Sequence, residues 1–253
     1  MAQEPRLAVP GAARPQRVAL PNKGTLAAGA RLLLTAAGYA CGAAHGRLHQ
    51  LDHENDTEFL QLRARDVPRL VAEGHLDAGI TGRDFVADAD LPMVELLTLG
   101  FGHAQVRYAV PRDGSGTVSG LQGARIATAL PRLTARDLAA HGVTAEIVEM
   151  TGAVEVAVHL GIADAVADVV ESGRTLAAHG LRAVGPPLIS SQAVLVCAPA
   201  AAASPAIRTL AERLLPCLLP ADRTSRAARP PQGATRPPQV EGAGARCPQS
   251  GAS

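Results

Sequence analysis

Asp168 and Glu171 stand three residues apart in Ala167-Asp168-Val169-Val170-Glu171, and the chain runs directly into Ser172-Gly173-Arg174-Thr175. An apolar strand ending in two carboxylates delivers them to the sheet edge where open α/β folds bind ligands. The Ser-Gly-Arg-Thr turn then opens a helix. Its free N–H groups, two hydroxyls and the helix dipole suit a phosphate. The carboxylates would stand where ribose hydroxyls or a Mg²⁺ ion can be held. The same letters also describe an ordinary helix start capped by Ser172, and capping is common enough that the two readings weigh equally.

Three weaker segments share this grammar. Asp77-Ala78-Gly79-Ile80-Thr81-Gly82-Arg83-Asp84 reads as strand, Gly turn and helix, with small residues that let a ligand approach the backbone. A tight βα turn without a ligand explains it at least as well. Pro21-Asn22-Lys23-Gly24 places an ammonium just past a strand end, and Arg63 and Arg65 flank another, where one of them could fork onto a phosphate. Solvated surface charge is the plain alternative for all three cations. His45, His49 and His53 repeat every four residues, but Gly42, Gly46 and the Asp-His-Glu-Asn-Asp run oppose a continuous helix, so metal ligation by them is disfavoured. HExxH, Walker A, GxSxG and GxGxxG are all missing, which leaves nucleophilic covalent catalysis without support.

These residues need a scaffold, and the composition allows one. The chain has 253 residues, 47% of them apolar but only 2% aromatic, so Leu, Val, Ile and Ala must fill the core. A net charge of +1 provides no global field for nucleic acid or an acidic membrane. Four scattered cysteines, Cys41, Cys197, Cys217 and Cys247, suggest reduced thiols in the cytoplasm. The first sixteen residues contain no apolar core of a secretory signal.

Strands are expected at 17–20, 58–63, 76–81, 106–110, 123–128, 146–148, 165–169 and 191–197. Helices are expected at 25–37, 65–73, from Asp84, 134–141, 154–160, 174–178 and 206–215. Alternating strands and helices imply a layered, mainly parallel α/β architecture. Pro111 to Gly120 suits a crossing between two lobes. Residues 220–253, with two Pro-Pro pairs and one strongly apolar residue, read as disordered.

Taken in order, RVALPNKGTL, EFLQLRARDVP, LDAGITGRDF, LLTLGFG, GARIATALPRL, TGAVEVAVHLGIADAVADVVESGRTL and SSQAVLV resemble the ATP phosphoribosyltransferase family from Arg17 to about Leu215. The resemblance implies a two-lobed α/β fold of the periplasmic-binding-protein type II, with mainly parallel sheets and a cleft between the lobes. It implies an arm over 1–16, one lobe from 17–100 plus 187–219, a second lobe over 101–186, and an aberrant tail over 220–253. The activity implied is the Mg²⁺-dependent condensation of ATP with phosphoribosyl pyrophosphate, giving N1-(5-phosphoribosyl)-ATP and pyrophosphate, the first step of histidine biosynthesis.

Under that resemblance Ser172, Gly173, Arg174 and Thr175 would hold the 5-phosphate, with Asp168 and Glu171 catalytic beside the ribose and Asp168 the metal's candidate ligand. Lys23, Arg63, Thr81 and Gly82 would serve ATP and its phosphates, and Glu155 faces the cleft without an assigned role. The family pattern has Tyr and Asn in the segment that here reads Ala129-Leu130-Pro131-Arg132-Leu133. The regulatory domain that usually follows is replaced by the tail, so histidine feedback is expected to be lost and assembly to stop at a homodimer rather than a hexamer. Two other readings stand beside this one: a catalytically impaired paralogue, and a bilobed anion or amino-acid binding protein. Pyrophosphate release from ATP, phosphoribosyl pyrophosphate and Mg²⁺ separates them.

Overall fold

Short apolar runs, many ended by Gly, Pro or Asn, collect into two sheets. The computed structural model describes residues 14–42 and 48–218, all within one compact unit. The expectations for residues 1–13, His45, the tail and Cys247 lie outside the described residues.

The first sheet contains β1 (Gln16–Pro21), β2 (His49–Asp52), β3 (Thr57–Leu62), β4 (Ala78–Gly82), β5 (Val94–Thr98) and β11 (Ala193–Cys197), in the order β2-β3-β1-β4-β11-β5. The second contains β6 (Ala104–Pro111), β7 (Arg125–Thr128), β8 (Glu146–Glu149), β9 (Ala165–Val170) and β10 (Leu181–Ser191), in the order β10-β6-β9-β7-β8. The helices are α1 (Gly24–Ala36), α2 (Val67–Ala72), α3 (Arg83–Ala89), α4 (Pro131–Ala140), α5 (Val156–His159), α6 (Arg174–Ala178) and α7 (Pro205–Leu214).

This is the two-lobed α/β fold expected, with one correction. The sheets are mixed rather than mainly parallel: β1 and β7 pair in parallel with both neighbours, whereas β2, β6, β10 and β11 pair antiparallel. The returning strands cause this, because a chain that crosses between sheets and comes back must run against the strands already laid down.

Other boundaries also differ. Order starts before Arg17, since Gln16 opens β1 and the Arg14 guanidinium forks onto Asp77 at 2.7 and 2.9 Å. Asp77 is thereby fixed at the end of β4 remote from the Gly turn. Strands β2 and β5 carry no expected strand, because their half-exposed residues show little periodic contrast, whereas β3 falls where a strand is expected. Pro111–Gly120 is a loop inside the second sheet, not a crossing. The crossings are at 99–103 and at Gln192, where a single break separates β10 from β11. Residues 187–191, expected with the first lobe, pair instead with β6 through Ile189, Ser190 and Ser191.

Each sheet buries its own core. On the first, Leu20, Leu33, Leu34, Ile80, Leu195 and Leu210 join α1 and α7 to the strands. Each such side chain contributes about 1.5–3 kcal/mol by leaving water. On the second, Tyr108, Ile126, Leu138 and Val184 pack one face while Val154, Ala157, Val166 and Leu176 pack the other. A smaller cluster joins the lobes: Leu130 and Leu133 meet Phe85 and Ala87 of α3 and Leu188 and Ile189 of β10.

Candidate active site

Parallel strands present their C-terminal ends on one edge of a sheet, and both sheets turn that edge toward a common cleft. From the first sheet, β1 leads into Asn22 and Lys23, and β3 into Arg63. From the second, β7 leads into Ala129 and β8 into Thr151. These ends line a cleft of about 390 Å³ with Gly24, Thr25, Arg65 and Phe85.

The first-sheet wall is cationic. Lys23, Arg63 and Arg65 contribute three positive charges, the lining residues include no carboxylate, and none of the three forms an ion pair among the described residues. Lys23 precedes the first turn of α1, whose amides receive no side-chain cap. Thr25 lies inside the helix and lines the cleft. Arg65 reaches across the cleft, its Nη2 donating to Ala129 O at 3.3 Å. The side-chain oxygen of Asn22 is buried without a hydrogen-bond partner. A larger cavity of about 490 Å³ lies beside the cleft, but there Glu73 and Asp88 offset two of the three charges of Arg65, Arg69 and Arg132.

The carboxylates stand on the second sheet, outside the residues that line this cleft. Asp168 sits half-buried on β9, its Oδ1 accepting from the Val169 amide at 2.8 Å. Burial pushes its carboxyl up to about 6; the Val169 amide opposes this, while the charges of Glu155 and Asp84 add to it. Asp168 forms no ion pair among the described residues. Glu155 lies just before α5, 18% exposed, with Oε1 3.8 Å from His179 Nε2. Glu171 stands exposed in the bend after β9. The carboxylates acting on Asp168 are therefore Glu155 and Asp84.

The Ser172-Gly173-Arg174-Thr175 turn is formed as a helix start, but Ser172 does not cap it. Gly173 takes the capping position at φ +71°, a left-handed conformation that favours glycine, and no side chain caps α6. The first-turn amides thus keep their hydrogen-bonding capacity. Ser172 Oγ accepts instead from Arg174 Nε at 3.3 Å, and Ser172, Arg174 and Thr175 are exposed.

Two expectations are corrected. Thr81 is fully buried, its hydroxyl donating to Ala64 O at 2.6 Å, so it supports the Arg63–Arg65 turn from behind. Gly82 is buried in β4 opposite Ala193, and a Cβ there would collide with Asp84 Oδ1, so its small size serves the protein's own carboxylate rather than a ligand. Leu130 is 1% exposed, packed in the cluster between the lobes. Of the two arginines expected to offer one phosphate contact, both Arg63 and Arg65 line the cleft, and Thr151 joins them from a loop whose polarity carries no distinguishing signal in the sequence. His49 belongs to β2, 3.8 Å from Glu58, and no group of three or more potential ligands is arranged for a metal among the described residues.

A two-lobed α/β fold with a cationic cleft wall, a half-buried carboxylate on the second sheet and an uncapped turn has the chemistry that polyanionic ligands require. The family model HisG, described as ATP phosphoribosyltransferase, matches residues 63–215. An ATP phosphoribosyltransferase of Saccharopolyspora erythraea is 50% identical over 181 residues, covering 71% of this chain and 64% of the relative. One of Corynebacterium efficiens is 46% identical over 198 residues, 78% of this chain and 70% of the relative. One of Mycobacterium tuberculosis is 48% identical over 180 residues, 71% and 63% respectively. The matched part thus spans less than two thirds of the first and third of these relatives. Among solved structures, the ATP phosphoribosyl transferase (HisG:HisZ) complex from Thermotoga maritima aligns with a TM-score of 0.69 and 23% identity, covering 80% of this chain and 98% of that one, a likeness of fold. The chain belongs to the ATP phosphoribosyltransferase family.

Proposed function

We propose that this protein condenses ATP with 5-phosphoribosyl 1-pyrophosphate to give N1-(5-phosphoribosyl)-ATP and pyrophosphate, the first step of histidine biosynthesis. The observation that carries this reading is a separation of charge between the two sheets: three cations without an ion-pair partner line the cleft from the first, and toward the C-terminal end of β9 in the second stands a half-buried carboxylate that forms no ion pair among the described residues. Two polyanions approach each other only where cations offset their repulsion. A carboxylate beside the anomeric carbon then stabilises the positive charge that develops as pyrophosphate leaves.

The N1 lone pair of adenine forms the new bond to the anomeric carbon, and the carbon–oxygen bond to pyrophosphate breaks with its electrons. The alkylated adenine loses one proton from its amino nitrogen to solvent, so no strong general base is needed. Ser172, Gly173, Arg174 and Thr175 hold the 5-phosphate through amides and hydroxyls. Asp168 faces the ribose, with Glu171 and Glu155 as the neighbouring carboxylates. Lys23 and Arg63, joined by Arg65, bind the phosphates of ATP and the leaving pyrophosphate. Thr81 and Gly82 act behind them by shaping the turns.

Mg²⁺ fits this site as an ion carried by substrate phosphates, because it needs only one or two protein carboxylates and none of the described residues builds a closed cage. Asp168 is the residue that would hold it, and the ion would supply charge neutralisation to the pyrophosphate.

A homodimer in the cytoplasm belongs to the same proposal. Unpaired thiols at Cys41, Cys197 and Cys217 and exposed leucines such as Leu32 support it. Among the described residues no helix is long and apolar enough to cross a membrane. The deciding experiment mixes the full chain with ATP, phosphoribosyl pyrophosphate and Mg²⁺ and follows phosphoribosyl-ATP and pyrophosphate together. Equal amounts of both are expected, and binding without either product would leave a bilobed binding protein.

A further inference from the structure

The two crossings between the lobes are pinned rather than free. Leu99 N donates to Ala193 O at 3.0 Å and Ala193 N to Phe101 O at 2.9 Å, so the crossings run as one ribbon. The ring of Phe101 lies where a Cβ on Gly29 of α1 would be, which fixes the ribbon against the helix that carries the Lys23 turn.

On the other side the anchor is α3. Ser191, the last residue of β10, is 5% exposed, and Asp84 in the first turn of α3 is 4% exposed. Ser191 Oγ donates to Asp84 Oδ1 at 2.5 Å and accepts from Asp84 N at 3.1 Å. Gly82 leaves the room for that carboxylate, and Arg83 N donates to Gln192 O at 3.0 Å.

The far end of α3 grips the second lobe as well. Asp88 Oδ1 accepts from Leu133 N at 2.9 Å. Leu133 lies in the first turn of α4, which no side chain of its own N-cap residue closes, so the cap is supplied across the lobe boundary. Arg132 Nη1 donates to Ala89 O at 3.1 Å, and Arg136 bonds Asp90 and Ala87 O. Between the two ends, Phe85 and Ala87 pack on Leu130 and Ile189. A helix of seven residues therefore holds the other lobe at both ends and along its middle.

We propose that α3 is the positioning element of the cleft, with Asp84 through Ser191 and Asp88 through the Leu133 amide fixing the angle between the lobes. This deepens the proposed transferase reading and rests on it. That angle sets the spacing between the Lys23–Arg63–Arg65 wall and Asp168, and group transfer is sensitive to displacements of about 1 Å. Attachment at both ends of α3 narrows the angle, and loss of either bond widens its range. Only the fraction at the competent angle then binds both substrates, so apparent affinity falls by that fraction.

The test uses the full chain and three variants, Ser191→Ala, Asp88→Ala and Asp88→Asn, each read by steady-state kinetics, thermal melting and small-angle scattering. Both alanine variants are expected to raise KM for the two substrates about tenfold while kcat stays within about threefold. Their scattering curves should broaden toward more open lobes. Asp88→Asn keeps an acceptor oxygen for the Leu133 amide and should restore KM and the wild-type curve. Unchanged KM and unchanged scattering in both alanine variants would overturn the proposal, and so would an asparagine variant as defective as the alanine. Should Ser191→Ala not fold, Asp88→Ala decides alone. Should the wild type form no phosphoribosyl-ATP, the transferase reading fails, and the scattering comparison still decides what α3 does.

Discussion

The two walls of the cleft reach their chemistry by opposite routes. The first-sheet wall is made of long flexible cations set on loops just past β1 and β3, exposed and unpaired. The second sheet contributes Asp168, set inside a strand and partly withdrawn from water, just before the Ser172–Thr175 turn. Flexible cations can follow a phosphate chain through a range of positions. A desolvated carboxylate is poised against its own charge, and an arriving cation or cationic transition state relieves that cost. On the proposed reading the cations capture and the carboxylate discriminates.

The sharpest way to break this contrast is at Asp168. Asp168→Ala is expected to abolish turnover with the fold intact, and near-normal phosphoribosyl-ATP formation would remove Asp168 from the mechanism. Asp168→Asn should also abolish turnover while raising thermal stability at pH 7. The folded carboxyl titrates near 6 against 3.8 unfolded, so the folded state keeps a proton that the unfolded state has released between those values. Stability therefore falls as pH rises through that window, leaving a deficit of about 1–3 kcal/mol at neutral pH that the amide removes. A melting temperature below wild type would contradict this.

On the capturing wall, Lys23→Ala and Arg63→Ala should each raise KM about 10- to 100-fold, the loss of one charge-assisted hydrogen bond of about 1.5–3 kcal/mol. A kcat loss with unchanged KM would move these residues from capture to chemistry. The pH profile is the next, smaller effect. kcat/KM should fall below pH 6 as Asp168 takes up its proton, reaching about a tenth of its plateau one unit lower. A flat acid limb would mean that the catalytic form is the protonated one. Smallest is Thr81→Val, which strands the Ala64 carbonyl and should cost about 1 kcal/mol, a few degrees of melting temperature, with KM unchanged. A raised KM without destabilisation would return Thr81 to the ligand.

Much of this was legible one segment at a time. The strand at 165–170 and the helix at 174–178 follow from apolar runs interrupted by Gly, and the cations past β1 and β3 follow from where those strands end. Thr81 and Gly82 misled for a physical reason. Small and hydroxylated residues look the same in sequence whether they make room for a substrate or for the protein's own Asp84 and Ala64. Ser172 misled in the opposite sense, since a residue suited to capping left the cap to Gly173.

By itself the sequence determined the family, the two series of strands and helices and the letters of the Ser172–Thr175 turn, because these depend on residues close in the chain. Only the tertiary structure decided that Asp168 would sit near Glu155 and Asp84, that Asp88 would cap a helix of the other lobe, and that Leu130 would be buried between the lobes. Those pairings join residues far apart in sequence, and their energies of desolvation and field arise only when the two sheets are brought together.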